Sequence, residues 1–513
     1  MQMGLRGRVH ASSPVVLGVV GSGTMGRGIA QVAARAGIAV RVHDAEPGKA
    51  QAAVDAIQAE LEQRCVAGKL PRKAVDIACA SLSVADELEG LADCAVVIEA
   101  VVEDLEIKRA LFGRLEQIVS DDCVLGTNTS SLLVTAIAAP CRRPERVGGA
   151  HFFNPVPVMR IVEVIAGVRT APTTVETLCE LVRTIGHTPV VIADTPGFLI
   201  NHAGRALYTE GIRIVGEGIG SPQDVDRVMR EAAGFRMGPF QLFDLTGLDV
   251  SFPVLLQIYG DFFQEPRFRP APLLRRQVEA GLYGRKVGEG FYRYEAGRPV
   301  VSPQAVPVDW RVKPVWMSAA ERAGQPWVAA RLTALGIKLD DGEAAGANSI
   351  LLVLPFGDDA TTTASVRGLD PERVMALDAM LPDTAHLTLM PTAATCPDIR
   401  DSLLGMVLAG GGQATLIHDS PGFVIQRVLA MIVNVSADIA QQRIATPQDI
   451  DLAVRIGLGY PAGPLTLGDT LGTRVLLSVL ERMQAFYGDP RYRPSPWLKR
   501  RALIGRSLLQ QDA

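Results

Sequence analysis

At 513 residues the chain is too long for one ordinary core and divides into roughly three or four domains of typical size. A formal charge of −4 and a pI near 6.1 give no basic field for nucleic acid or an anionic membrane, so a small-molecule partner is expected. Seven cysteines with no C-x-x-C pair argue for reduced thiols in a cytoplasmic protein and against a metal site, and no uninterrupted run approaches the roughly 18 apolar residues of a membrane span.

Residues 1–13 carry Arg6 and Arg8 but no apolar stretch and read as a frayed extension. Residues 15–20 (VVLGVV) form a continuous apolar run, as expected of a strand buried on both faces of a parallel sheet. The turn Gly21-Ser22-Gly23-Thr24-Met25-Gly26 follows at once. Residues 28–36 then read as helix, 39–43 as a second strand and 50–65 as a long helix, which is the βαβ rhythm. Further strands are expected over 94–98, 123–127, 147–151, 161–165 and 189–192, making residues 14–193 a Rossmann-type, doubly wound α/β sheet. From Asp194 the β-branched runs vanish. Segments 200–216 and 224–233 have helical period, with Ser221-Pro222 as cap and first-turn proline, so residues 194–296 are expected to form an all-α domain.

A repeat organises the rest. Asp194-Thr-Pro-Gly-Phe-Leu-Ile recurs as Asp419-Ser-Pro-Gly-Phe-Val-Ile, an offset of 225. The same offset relates Pro222-Gln-Asp-Val-Asp226 to Pro447-Gln-Asp-Ile-Asp451, and Gly238-Pro239 with Asp244 to Gly463-Pro464 with Asp469. Residues 419–513 are therefore a second copy of the all-α domain, expected to be non-catalytic because the distal half has no glycine fingerprint, no NTSS and no equivalent of Asn201. Between the copies, residues 297–418 begin with a Pro-rich linker at 299–314. Short strands are then expected at 349–355, 374–378, 386–390 and 414–417, a degenerate α/β segment without a glycine fingerprint of its own.

The glycine turn follows a buried strand and opens a helix. Its first glycine permits the tight turn, the second lets backbone approach a pyrophosphate, and the third packs helix on sheet. Asp44 ends the next strand, where a carboxylate accepts from a ribose 2′-hydroxyl and repels a 2′-phosphate, so NAD is favoured over NADP. The alternative is a structural glycine turn. His151, in His151-Phe152-Phe153-Asn154-Pro155, stands at the end of a strand where α/β folds collect ligands, though a lone histidine there is more often a packed core residue. Glu163, twelve positions on, can hold the ring tautomer and stabilise the imidazolium, or be an ordinary surface glutamate. Asn128-Thr129-Ser130-Ser131 supplies groups that could orient a substrate oxygen, or is a polar turn. Asn201 opens the first long helix of the all-α domain, a capping position; Gln426 matches it in the second copy, and His386 reads as incidental.

Taken together, GSGTMG, the stretch from Glu99 to Lys108, NTSS, HFFNPVPVMRIVEVI, DTPGFLIN and GFRMGPFQLFDLTGLD resemble the L-3-hydroxyacyl-CoA dehydrogenases, over residues 15 to about 294. That family couples a Rossmann domain to a helical domain and reversibly oxidises L-3-hydroxyacyl-CoA to 3-oxoacyl-CoA with NAD. The resemblance implies His151 as base, Glu163 as its partner, and Ser130 and Asn201 as substrate-positioning groups. At the cofactor it implies Gly21, Gly23, Thr24, Met25, Gly26, Asp44, Glu103, Lys108, Ser130 and Asn154. The remaining residues resemble the longer, duplicated bacterial-type members, among them 3-hydroxybutyryl-CoA and 3-hydroxyadipyl-CoA dehydrogenases, which act in β-oxidation and phenylacetate breakdown. The chain is then either a homo-oligomer or a monomer whose helical copies pair within one chain. Two rivals stay open here: an NAD-dependent sugar-acid dehydrogenase, and a non-enzymatic, crystallin-like NAD-binding protein.

Overall fold

The strand Val16–Val20 (β1) is buried from Leu17 onwards and is central to its sheet, with parallel partners on both edges, Ala39–His43 (β2) and Val96–Glu99 (β4). A computed structural model describes residues 15–302, 306–382 and 384–512; the extension expected over 1–13 lies outside the described residues. Beyond β2 comes Leu82–Val84 (β3), and beyond β4 come Val124–Thr127 (β5), Val147–Phe152 (β6), Ile161–Ala166 (β7) and Thr188–Ala193 (β8), in the order β3-β2-β1-β4-β5-β6-β7-β8. All neighbours are parallel except β6 and β7. The three-residue β3 was not expected, since Leu-Ser-Val is too short to show as an apolar run. The first helix also starts earlier than its apolar pattern suggests, spanning Thr24–Arg35, because Gly23 already serves as its N-cap. Strands expected from Cys94 and Cys123 begin at Val96 and Val124, with both cysteines buried in the preceding turns.

Two compact units emerge. One runs to His202 and takes in Arg443–Leu458; the other comprises Ala203–Gln442 and the chain from Gly459. In the first, the helix Pro447–Gly457, drawn from the second helical copy, packs on β7 and β8, and Ala193 N donates to Ile444 O at 2.8 Å.

The second unit carries a smaller sheet. After the ribbon Tyr294–Glu295 (β9) and Arg298–Pro299 (β10) come Val315–Trp316 (β11), Leu339–Asp340 (β12), Ile350–Val353 (β13), Val374–Leu377 (β14), His386–Pro391 (β15) and Gln413–Leu416 (β16), in the order β12-β11-β13-β14-β15-β16. The stretch β13–β16 reproduces β5–β8, including the one antiparallel step, now β14 to β15. β11 and β12 are two residues each and were not expected. Here the helix Pro222–Glu231, from the first helical copy, packs on β15 and β16, and His418 N donates to Ile219 O at 2.8 Å. Adding 225 to Ala193 and subtracting 225 from Ile444 turns the first bond into this one, so the two copies exchange equivalent helices.

Both helical copies meet in this unit. Arg427, fully buried on Val424–Gln441, pairs with the equally buried Glu210 at 2.7 Å and donates from Nη2 to the hydroxyl oxygen of Tyr492 at 3.0 Å. Arg267 Nη2 donates to Arg493 O and Arg491 Nη2 to Arg269 O, a reciprocal pair. Val424–Gln441 is long and apolar enough to cross a membrane, yet almost all of it is covered by protein, which accounts for its composition.

Candidate active site

The turn after β1 has the geometry a dinucleotide requires. Gly21 lies at φ 97° and donates to His43 O at 2.9 Å; a Cβ there would meet the Ala100 carbonyl at 2.5 Å. A Cβ on Gly26 would collide with the Gly21 carbonyl, whereas Gly23 faces open space at the head of the Thr24–Arg35 helix, whose first N–H groups have no side-chain cap. Thr24 is exposed at this head; Met25 turns its side chain onto the sheet core and can offer only its N–H. Asp44 accepts from Ser22 N at 2.8 Å, Ser22 Oγ at 2.6 Å and Glu46 N at 3.0 Å. Partial burial would raise its carboxyl, but these bonds outweigh burial and hold it below the usual value, so it is ionised at neutral pH. The donor set fits an NAD ribose and pyrophosphate.

At the carboxyl ends of β4 and β5 a chain of charges fixes the NTSS loop. Glu99, fully buried, accepts from Lys108 Nζ at 2.6 Å, Val101 N at 2.7 Å and Thr127 Oγ1 at 2.7 Å. Lys108 also lies 3.2 Å from Glu103. One oxygen of Glu103 then accepts from Thr129 Oγ1 (2.6 Å), Ser130 N (2.9 Å), Ser131 N (3.0 Å) and Ser131 Oγ (2.9 Å). Burial opposes ionisation, but the Thr129 hydroxyl, the Lys108 ammonium and the serine donors bring the Glu103 carboxyl down to about 2. Lys108 is 1% exposed, so it braces two carboxylates and reaches the cofactor region only through them. Glu99 was absent from the expected site; its signal was a charged residue inside an apolar strand run.

His151 and Glu163 face each other across β6 and β7, in register, with Nδ1 2.6 Å from Glu163 Oε2. Nδ1 is thereby committed to the carboxylate. Phe153 and Phe198 rings lie 4.4 and 5.6 Å from the imidazole. The second Glu163 oxygen accepts from Leu199 N at 2.9 Å and Ile200 N at 2.7 Å. Phe198 sits at φ 51°, a left-handed conformation costly for a side-chain-bearing residue, and this bend presents those two N–H groups. Asn201 follows directly, in the first turn of the Ile200–Gly216 helix. Asn128 Oδ1 accepts from Phe152 N at 2.8 Å, tying the NTSS loop to the strand of His151. Ser130 and Asn154 are exposed on the loops after β5 and β6.

The model of the 3-hydroxyacyl-CoA dehydrogenase NAD-binding domain matches residues 16–195, and that of the 3-hydroxyacyl-CoA dehydrogenase C-terminal domain matches twice, at 197–294 and 422–510. The chain belongs to the 3-hydroxyacyl-CoA dehydrogenase family. It is 38% identical to the 3-hydroxyadipyl-CoA dehydrogenase of Escherichia coli K12 across 95% of this chain and 97% of that one. It is 40% identical to a probable 3-hydroxybutyryl-CoA dehydrogenase of Deinococcus radiodurans, covering 54% of this chain and 99% of the relative. Among solved structures, that of 3-hydroxybutyryl-CoA dehydrogenase from Escherichia coli K12 superposes with a TM-score of 0.84 at 36% identity, over 96% of this chain and 99% of that one. This dehydrogenase is an oxidoreductase that uses NAD to oxidise 3-hydroxyacyl-CoA.

In the second copy the positions of His151, Glu163 and Asn201 are filled differently. Asp378 N donates to Thr388 O, continuing the β14–β15 register, so Asp378 stands where His151 does and Thr388 where Glu163 does. Gln426, in the place of Asn201, accepts from Gly357 N (2.8 Å) and donates to Pro355 O (3.0 Å) and Asp378 Oδ1 (2.9 Å). His386 is buried against Thr415 Oγ1 (2.8 Å) and Glu231 (3.1 Å), a packing role.

Proposed function

We propose that His151 is the general base of the reaction, oriented by Glu163, with Ser130 and Asn201 positioning the substrate oxygen. The observation that carries this is Glu163 itself: one oxygen holds Nδ1 of His151 and the other is pinned by Leu199 and Ile200, one residue from Asn201. Nε2 takes the C3 hydroxyl proton; the imidazolium so formed is stabilised by the adjacent carboxylate. In the reductive direction the same nitrogen returns the proton to the forming alkoxide. NAD, when bound, supplies the oxidant that removes hydrogen from C3. Gly21, its own N–H given to His43 O, would let the turn approach the cofactor; Gly23, Thr24, Met25 and Gly26 would hold its pyrophosphate through backbone N–H groups, Asp44 its ribose, and Glu103, braced by Lys108, the loop bearing Ser130. Asn154 is assigned to the cofactor as well, its exposed position leaving it reachable.

The division into a catalytic sheet (14–193), a helical domain (194–296), a degenerate α/β segment (297–418) and a second helical copy (419–513) is supported by the repeat and by the matched segments. We assign a short-chain substrate, 3-hydroxybutyryl-CoA or the dicarboxylic 3-hydroxyadipyl-CoA, with β-oxidation or phenylacetate breakdown as setting; the names of the relatives support both. Seven free cysteines favour a cytoplasmic site, and the buried Arg427–Glu210 contact favours a monomer with an internal pseudo-dimer. A panel of 3-hydroxyacyl-CoAs read by NADH absorbance tests the substrate. The highest kcat/KM should fall on one of these two, and a maximum on a long-chain thioester would overturn the assignment.

A further inference from the structure

We propose that Gly457, in the copy without a catalytic site, is a positioning residue for the His151–Glu163 pair; the inference rests on the roles assigned to those two residues above. The connection is short. Ile200 donates its N–H to Glu163 Oε1 at 2.7 Å, and Glu163 Oε2 meets His151 Nδ1 at 2.6 Å. The Ile200 side chain, 2% exposed, lies against Gly457: a Cβ there would fall 2.5 Å from Cδ1 of Ile200, 3.2 Å from Cγ1 and 3.5 Å from Cγ2. A β-branched side chain buried to this degree has little freedom to turn away. Any residue larger than glycine therefore presses on Ile200 and, through it, on the N–H that holds the carboxylate.

Glycine has no backbone reason to be at 457. It ends the helix Pro447–Gly457 without a positive φ, and glycine is a poor helix former. The segment is tied to the same turn at its other end, where Ile444 O accepts from Ala193 N at 2.8 Å. Residues 444 and 457 thus bracket the stretch from Ala193 to Ile200 that delivers Leu199 and Ile200 to Glu163.

The internal repeat supplies a comparison. Subtracting 225 places Ala232 where Gly457 stands, and adding 225 places Ile425 where Ile200 stands. The Ile444 bond has its counterpart in His418 N to Ile219 O, also 2.8 Å. Both exchanged helices are thus anchored alike, yet alanine suffices on the side where Asp378 and Thr388 replace the catalytic pair. Glycine is kept where the turn must hold a working carboxylate.

The test is Gly457→Ala and Gly457→Leu in the full chain. Displacing a catalytic group by a fraction of an ångström to one ångström costs about 10- to 100-fold in rate. We expect kcat to fall by about that factor, more for leucine than for alanine, with NADH affinity within about twofold of wild type and the kcat/KM–pH profile shifted as in Glu163→Gln. Ile200→Val, which removes Cδ1, should restore much of the kcat lost by Gly457→Ala. Ala232→Val should change neither kcat nor the pH profile. An unaltered kcat and pH profile in Gly457→Ala, with or without a lower Tm, would overturn the inference, as would failure of Ile200→Val to rescue a defective Gly457→Ala. If His151→Gln were itself fully active, the catalytic assignment rather than this inference would fall.

Discussion

Replacing Asp378 by asparagine should stabilise the protein at alkaline pH and do little for it in acid. Asp378 is 4% exposed, and both of its side-chain hydrogen bonds fall on one oxygen: Gln426 Nε2 and Met380 N donate to Oδ1, while Oδ2 has no partner among the described residues. Burial disfavours the carboxylate more than the two donors favour it, which pushes the group up to about 6 from an ordinary value of 3.8. A folded-state value above the unfolded one favours the folded protein when the group is protonated. That contribution is complete below about pH 4 and is lost as pH rises through about 6. About two units at 1.36 kcal/mol each amount to ~3 kcal/mol of penalty carried at pH 8. Asp378→Asn keeps the shape and the Oδ1 acceptor but cannot ionise. Its gain over wild type at pH 8 should reach ~2 kcal/mol, reduced from ~3 because the new amide also lacks a partner. Denaturant unfolding of both proteins at pH 4 and pH 8 measures this, and the readout is the difference between variant and wild type at each pH. An equal difference at the two pH values would refute a buried, ionising carboxylate.

His151→Gln should lower kcat by about 10² to 10⁴ with NADH affinity nearly unchanged, and Glu163→Gln should shift the pH–rate profile; steady-state kinetics with fluorescence titration of NADH measures both. Asp44→Ala should narrow the preference for NAD over NADP, read as a ratio of kcat/KM values, because it removes the ionised group that would repel a 2′-phosphate. A fragment ending at Gly297 loses the helix that covers β7 and β8, so it should self-associate, with Pro222–Glu231 of a second copy taking that place. Light scattering together with activity against concentration tests this, and a monomeric, fully active fragment would sink it. Gln426→Ala should leave kcat intact but cost ~2 to 4 kcal/mol in unfolding, since it strips partners from the buried Gly357 N–H and Pro355 carbonyl.

Much of this protein is local information, and the sequence carries it. Apolar runs such as Val16–Val20 have one stable home, a strand covered on both faces, and the glycines at 21, 23 and 26 have one use at that spacing. The repeat at 225 revealed the duplication because a shared register survives divergence of individual residues. The pairing of His151 with Glu163 was visible as a motif. What pins Glu163 was not, since Leu199 and Ile200 act through backbone N–H groups that any residue provides. Nor could the sequence show that Lys108 is buried between Glu99 and Glu103, because a lysine reads as solvated until both carboxylates are placed in space. Strands of two or three residues, β3, β11 and β12, left no pattern: β3 and β11 form on the hydrogen-bonding edges of the longer β2 and β13, and β12 in turn adds to β11. The exchange of helices lay furthest from sequence reasoning. Pro222–Glu231 and Pro447–Gly457 open on the same Pro-Gln-Asp and keep the same periodicity, which does not say which sheet each will cover, and only the tertiary structure decides that each covers the sheet of the other copy.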